Sequence, residues 1–380
     1  MTPAAGVYRR SLQGHTTFVP DDLPPGLALS PAIDRAVEEA THLLGQVEMC
    51  RILLPNADLL IYSSLQREAI ASSTIEDTIA SPDELVRYQA AAHISNGSER
   101  EAVREVANYS DALSWGYSQL GRRPIGLNLI LGLHERLLLG VRGAPAAGRL
   151  KDRQNYIGST SSDAIDAALF VPPPPEMVLD LVTSLEKYIN SPGNREPRIV
   201  QCALVHYQFE TIHPFSDGNG RVGRLLIVLQ MIQLGLLSAP LIYPSVYFER
   251  NRAEYYRHLQ DVREHGAWDG WIDFFTHAIK AQCVETIAFT QTILKLQEQL
   301  HAQVKDVRRK AAVGAVLDVF FREPVLPLSE ISKRAHLAAN TVQAAVNILQ
   351  EMKLVYEITG MEKRRIYTCG PVFDLVFGRQ

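Results

Sequence analysis

His213-Pro214-Phe215-Ser216-Asp217-Gly218-Asn219-Gly220-Arg221-Val222-Gly223-Arg224 is the stretch on which the reading of this chain turns. A helical pattern from Arg198 to Ile212 runs into Pro214, which has no N–H to donate and cannot continue a helix, so His213 is left at a helix end facing a loop. The pattern restarts at about Asn219 and continues through Leu234. Helix, polar loop, helix is therefore the local architecture, and each residue type in the loop has a chemical use. An imidazole with a reference pKa of about 6.5 can act as a base near neutral pH. Asp217 offers one carboxylate, and Mg²⁺ commonly takes one or two from a protein, with phosphate oxygens and water filling the rest. Gly218, Asn219 and Gly220 can bend tightly and aim backbone N–H groups, with the positive end of the following helix, at an anion. Arg221 and Arg224 lie three apart on nearly one helix face, as forks for phosphate. Base, metal ligand, anion nest and cationic clamp together describe nucleotide phosphate chemistry.

Gly218-x-Gly220-x-x-Gly223 also matches the dinucleotide-binding fingerprint, but that pattern has its meaning only after a strand that opens a βαβ unit, and here a helix and His-Pro precede it. No phosphate loop of the form Gly-x4-Gly-Lys-Ser/Thr occurs.

Outward from this centre the pattern is mainly α. Helices are predicted from about Pro31, with Ile33, Val37, Ala40 and Leu44 in register, then after Leu54-Pro55-Asn56 to near Glu76, at 82–94, 100–120, up to Gly140, from Pro175 to Tyr188, at 249–264 and at 271–309. A Pro-rich opening, FVPDDLPPGLALSP, reads as extended. Gly148 to Val171, closed by Pro172 to Pro175, is the one credible hairpin in the body of the chain. The last seventy residues change grammar to helix (309–321), helix (328–335), turn, helix (340–352), strand (354–358), turn, strand (365–369), the order of a winged helix-turn-helix, which sets a boundary near residue 305.

Composition bounds the rest. The 380 residues are 46% hydrophobic and 21% charged, with 38 Lys and Arg against 42 Asp and Glu, so a globular protein of two or three domains is expected and no global basic field advertises nucleic acid or an anionic membrane. Cys50, Cys202, Cys283 and Cys369 show no metal-binding spacing and fit a reducing, cytoplasmic compartment. The N-terminus lacks a signal-peptide core, and Leu225 to Leu237 is too short and too polar to span a bilayer, so no membrane partner is expected.

His213 to Arg224 resembles the HPFxDGNGRxxR signature of the Fic-domain family, enzymes that typically move AMP from ATP to a protein hydroxyl. HYQFETIHPF and VREHGAWDGWIDFF are also similar to Fic cores, and RGAPAAGRLKDRQNYIG with FVPPPP looks like the Fic flap, with Tyr156 where many relatives carry Trp. The likeness spans roughly residues 30 to 285. It implies a division into an N-terminal helical region (1–110), a Fic catalytic core (111–285), a helical linker (286–308) and a winged-helix domain (309–380). By resemblance His213 deprotonates a Tyr, Thr or Ser hydroxyl for in-line attack on the α-phosphorus and Asp217 holds Mg²⁺. Gly218, Asn219 and Gly220 form the anion hole, Arg221 supports the phosphates and Arg224 grips the γ-phosphate. ATP and Mg²⁺ are the implied cofactors.

Ser72-Ser73-Thr74-Ile75-Glu76-Asp77 is similar to the inhibitory motif Ser/Thr-x-x-x-Glu-Gly/Asn of some Fic proteins. It implies that Glu76 pairs bidentately with Arg224 and misaligns ATP, although Asp77 departs from the usual Gly or Asn at the turn. A Glu at a helix end is otherwise a solvated residue. The flap stretches Asn155 to Gly158 and Ala168 to Val171 are expected to register a target strand, with self-modification and a homodimer carried as further expectations. Removal of AMP, another phosphate-group transfer, and DNA regulation through the winged helix stay open as alternatives. The candidate recognition helix, Asn340 to Met352, offers Asn340, Thr341, Gln343, Asn347 and Gln350 but no cation. Positive charge is sought instead in Lys333, Arg334, Lys353, Lys363, Arg364 and Arg365.

Overall fold

The computed structural model describes residues 5–12, 14–91, 101–159, 165, 168–360 and 365–378. Helices dominate it. α1 (Pro31–Leu53) is opened by Ser30, whose hydroxyl accepts from the Ile33 N–H at 3.4 Å, and Pro31 fills the first helical position where no N–H is needed. α2 (Asp58–Ile75) is followed by α3 (Pro82–Ala91), α4 (Glu101–Leu120) and α5 (Leu127–Leu137). α6 (Pro175–Ile189) leads into the central pair, α7 (Arg198–Ile212) and α8 (Asn219–Gln233). These two carry apolar residues around nearly their whole circumference and are buried accordingly.

The segment expected as one helix at 249–264 is two, α9 (Pro244–Arg250) and α10 (Arg252–His265). The expected linker, 286–308, lies largely inside α11 (Trp268–Val304), 37 residues and so about 55 Å of uninterrupted helix. Phe289, Ile293, Leu300 and Val304 are buried along it, because no Gly or Pro falls there to break the stripe. The long helix joins the core to the tail instead of loosely tethering it.

Among the described residues three small antiparallel sheets complete the fold. β1 (Gly6–Arg10) and β2 (Thr16–Pro20) form a hairpin that the reading of an extended opening did not anticipate. β3 (Ile157–Ser159) and β4 (Ala168–Phe170) form the flap, and the Phe18 N–H donates to Val171 O at 2.9 Å, tying the two hairpins together. The tail runs α12 (Lys310–Phe320), β5 (Val325–Pro327), α13 (Leu328–Ala335), α14 (Ala339–Glu351), β6 (Val355–Glu357), β7 (Ile366–Cys369) and α15 (Gly370–Phe377), with strand order β5-β7-β6. β5 and α15 are additions to the expected order. Val86 of α3 packs with Val325 and Ile366, and Arg67 of α2 donates to Val376 O at 3.3 Å, so the tail rests on the helices that precede the core. Lys363 and Arg364 lie outside the described residues. Among the described residues no helix is long and apolar enough to cross a membrane.

Candidate active site

The site is the loop between α7 and α8. His213 closes α7 in the left-handed region (φ 49°, ψ 61°), its N–H donating to Phe209 O at 2.9 Å. That backbone state is uncommon for a residue with a Cβ, and it turns the chain sharply out of the helix into Pro214. The imidazole Nδ1 lies 3.2 Å from Glu210 O. A carbonyl only accepts, so Nδ1 carries the proton and Nε2 keeps a free lone pair. Burial, with Lys151 close by, pulls the imidazole down from 6.5 to about 3, so it is neutral at ordinary pH.

The loop is braced from within and without. The Asn219 amide clasps Phe215, accepting from its N–H at 2.8 Å and donating to its carbonyl at 2.7 Å. The Asn219 side chain is thus spent on the loop, and its backbone, the part expected to face an anion, stands at the start of α8. Gly218 caps that helix at φ 77°, a conformation for which glycine has no Cβ penalty. Asp217 Oδ1 accepts from Gly218 N–H at 2.7 Å and lies 3.7 Å from Arg221.

Three braces were not legible as such in the sequence. His134 of α5 stacks on Phe215 (3.7 Å between centroids, 10°). Its Nδ1 accepts from the Gly148 N–H at 3.0 Å, which leaves the proton on Nε2 to donate to Asp217 O at 3.1 Å. Burial lowers this ring to about 4, so it stays neutral and keeps that polarity. Lys151 and Asn155 hold the flap's base to the loop. Lys151 N–H donates to Pro214 O at 2.9 Å, its Nζ to Asn155 Oδ1 at 2.7 Å, and Asn155 Nδ2 to Phe215 O at 2.8 Å.

Arg221 and Arg224 are both almost fully buried and turn to different partners. Arg221 Nη1 meets Glu105 of α4 at 2.6 Å. Arg224 Nε donates to Ser72 Oγ at 2.8 Å, and its Nη2 to Ser72 O at 2.9 Å and Glu76 Oε1 at 2.7 Å. The Glu76 contact is therefore single, not the bidentate pair anticipated, because Ser72 takes part of the fork. Gly220 makes this approach feasible: a Cβ there would stand 2.2 Å from Glu76 Oε1. Gly223 does the same for a second carboxylate, since its Cβ would stand 2.2 Å from Glu210 Oε1. The spaced glycines are thus clearances for acidic side chains. Glu210 is buried, its Oε1 unpartnered among the described residues, and burial pushes it up to about 7 against the pull of Arg224.

Asp77 keeps the turn that Gly or Asn would make. It sits at φ 59°, a region Asp visits more readily than most residues, and forks onto Arg252 at 2.8 and 3.0 Å. α2 is anchored further back by buried Glu68, which accepts from Tyr109 OH at 2.9 Å, Ser245 N–H at 3.0 Å and the Ser245 hydroxyl.

The Asp217 carboxylate is the donor the loop offers a cation, and among the described residues no group of three or more His, Cys, Asp or Glu gathers to hold a metal. One exposed carboxylate beside an anion nest is a donor set that suits Mg²⁺, which keeps several waters and takes phosphate oxygens.

Residues 35–118 match the Fic/DOC family N-terminal region and residues 124–231 the Fic/DOC family. The chain belongs to this family. Protein adenylyltransferase fic-1 of Caenorhabditis elegans is 34% identical over 137 residues, 36% of this chain and 23% of that protein. A probable protein adenylyltransferase of Aquifex aeolicus is 30% identical over 206 residues, 52% of this chain and 55% of that protein. The chain thus spans about a quarter to a half of the length of these relatives. A crystal structure of a Fic family protein from Desulfovibrio desulfuricans G20 superposes with a TM-score of 0.58 over 91% of this chain and 98% of that one, at 19% identity. Fic-1 from C. elegans does so with 0.54 over 69% and 75%, at 21% identity. At such identities the likeness is one of fold.

Proposed function

We propose that this chain transfers AMP from ATP to a Tyr, Thr or Ser hydroxyl of a target protein, itself included, and that Glu76 restrains the reaction. The observation that carries this reading is the Glu76 carboxylate on Arg224, lying over Gly220 at the positive end of α8 with the His213 loop adjoining. That is where a phosphate tail would seat, and the protein has put an anion of its own there.

The neutral His213 Nε2 takes the proton of the target hydroxyl as its oxygen bonds to the α-phosphorus. The bond from that phosphorus to the α,β-bridging oxygen breaks, and pyrophosphate leaves with the electron pair. The N–H groups that open α8 face the charge that develops, and losing one such donor costs on the order of 10²- to 10³-fold in rate. Asp217 is the residue that would hold Mg²⁺, which when bound neutralises phosphate charge. Lys151, Asn155 and His134 keep the loop's carbonyls turned inward so that the base and the nest stay in register.

Glu76 opposes this by occupying part of the guanidinium that a γ-phosphate needs. The names of the relatives support AMP as the group moved. Incubating a Glu76→Gly variant with ATP labelled at the α or the γ position tests both points. Label is expected from the α position alone, well above the parent chain, and transfer of γ label would replace AMP transfer with phosphorylation.

A further inference from the structure

The cations of the tail are placed differently from the expectation raised by the sequence. Arg334 is spent on Glu323 at 2.8 Å and Glu330 at 3.8 Å, and Lys333 stands 3.9 Å from Glu330. Arg334 is therefore engaged, whereas Lys333 stays exposed. The structure instead brings Lys305, Arg309 and Lys310, where α11 gives way to α12, around one open hollow of about 660 Å³ with Thr341 in the first turn of α14. Asp306 is the lone carboxylate lining it. All three cations are exposed and none has an ion-pair partner among the described residues. Arg309 is held at φ 62°, ψ 32°, a left-handed state in which a residue with a Cβ is uncommon.

Charge is unevenly divided along the chain in the same sense. Residues 305–380 hold twelve Lys and Arg against eight Asp and Glu, whereas the whole chain is net −4. Beside the hollow, α14 buries Val342, Ala345, Val346 and Leu349 and leaves Asn340 and Asn347 exposed, with Gln343 half-exposed and donating to Asn347 Oδ1 at 2.8 Å. This outward face has amide groups and no apolar anchor. A protein partner would need such an anchor at the centre of its interface. A helix bearing Asn and Gln suits the major groove of B-form DNA, where these side chains bond adenine edges, while the deep, narrow major groove of duplex RNA would not admit it.

We propose that the tail binds duplex DNA, with α14 in the major groove and the phosphate backbone seated on Lys305, Arg309 and Lys310. The cations of the α11–α12 junction supply the footing that α14 itself lacks. This inference is independent of the AMP-transfer reading, and either can fail alone.

The test is fluorescence anisotropy of the full chain with a labelled mixed-sequence DNA duplex, repeated at stepped salt. Binding at low salt is expected, with log affinity falling linearly in log salt. A triple variant, Lys305→Gln with Arg309→Gln and Lys310→Gln, is expected to unfold at the parental temperature, since the three side chains are exposed and form no ion pair among the described residues. It should reduce the salt slope by about 2 to 3, because each phosphate contact contributes about 0.9. No binding at low salt would overturn the proposal. So would an unchanged slope in the triple variant, or equal affinity for duplex RNA of the same sequence.

Discussion

Two clusters of cations adjoin helix N-termini in this molecule, and they are in opposite states. At α8, Arg221 and Arg224 are buried and each is already bound to a carboxylate brought from another helix, Glu105 and Glu76. At α14, Lys305, Arg309 and Lys310 stand exposed around an open hollow, with Asp306 on its lining and no ion pair to any of the three among the described residues. On the proposed reading the first arrangement has to be opened by displacing an internal anion, as a site under restraint would. The second is ready for any polyanion that fits. A buried guanidinium left without an anion is costly, on the order of 3 to 5 kcal/mol when one partner of a buried pair is removed, so the core site must always hold some negative charge. Glu76 supplies it at rest and, on this account, ATP supplies it at work.

The largest expected effect separates the two regions outright. In a Glu76→Gly background, His213→Ala should lower AMP transfer by at least 10²- to 10⁴-fold while leaving anisotropy with duplex DNA unchanged. Loss of both together would mean that one change had unfolded the chain and the comparison had no content. Next in size is the anchor of the restraining helix. Glu68→Ala strands the Tyr109 hydroxyl and both Ser245 donors, and should cost about 3 kcal/mol in chemical denaturation. Transfer by the folded fraction should rise as α2 loosens.

Salt should sharpen the contrast further. The core guanidiniums are buried and screened far less than exposed charges, so raising salt from 50 to 200 mM, which over three phosphate contacts should cost the DNA complex about 40-fold, should move AMP transfer by less than about threefold. A steep fall in transfer over the same range would show the core cations to be exposed after all.

Acidity probes the base. His213 stays unprotonated down to about pH 3, so transfer should be flat from pH 8 to 5 as far as this ring is concerned. Burial lowers its pKa most and Lys151 adds to the effect, so Lys151→Met should raise it and move the acid limb of kcat/KM upward, whereas Lys151→Arg should restore the parental profile. The smallest effect belongs to Asp77. Its pair with Arg252 is exposed and screened by solvent, so Arg252→Ala should raise basal transfer only about twofold.

The sequence told most where chemistry is local. Pro214 ends a helix wherever it occurs, and glycines beside Asp217 and Asn219 bend a loop in any fold, so the helix boundaries on either side of the site were readable to within a residue. Residues whose meaning depends on distant approach were not. Glu105, His134, Lys151 and Glu210 read as ordinary positions on amphipathic helices or a polar loop, and only the packing of α4, α5 and the flap base onto the loop gives them partners. Gly220 and Gly223 looked like a nucleotide fingerprint, and their observed use, room for Glu76 and Glu210, needs α2 and α7 in place. Short elements escaped for a different reason. Three residues of β5 and the hairpin of β1 and β2 carry too little periodicity to stand out, and α15, opened by Gly370-Pro371, begins with residues that read as a turn. The cations at 305–310 straddle the expected junction of the linker (286–308) and the winged-helix domain (309–380), where a charge run usually means nothing more than solvation.

The central claim is that Glu76 on Arg224 holds the enzyme idle. It is tested most directly by the initial rate of α-label transfer at saturating ATP for the parent, Glu76→Gly and Glu76→Gln chains. An ion pair at 2.7 Å between a buried guanidinium and a partly exposed carboxylate predicts a rise on the order of 10- to 100-fold for Glu76→Gly and a smaller one for Glu76→Gln, which keeps a hydrogen bond but not the charge. Equal rates in all three would contradict it.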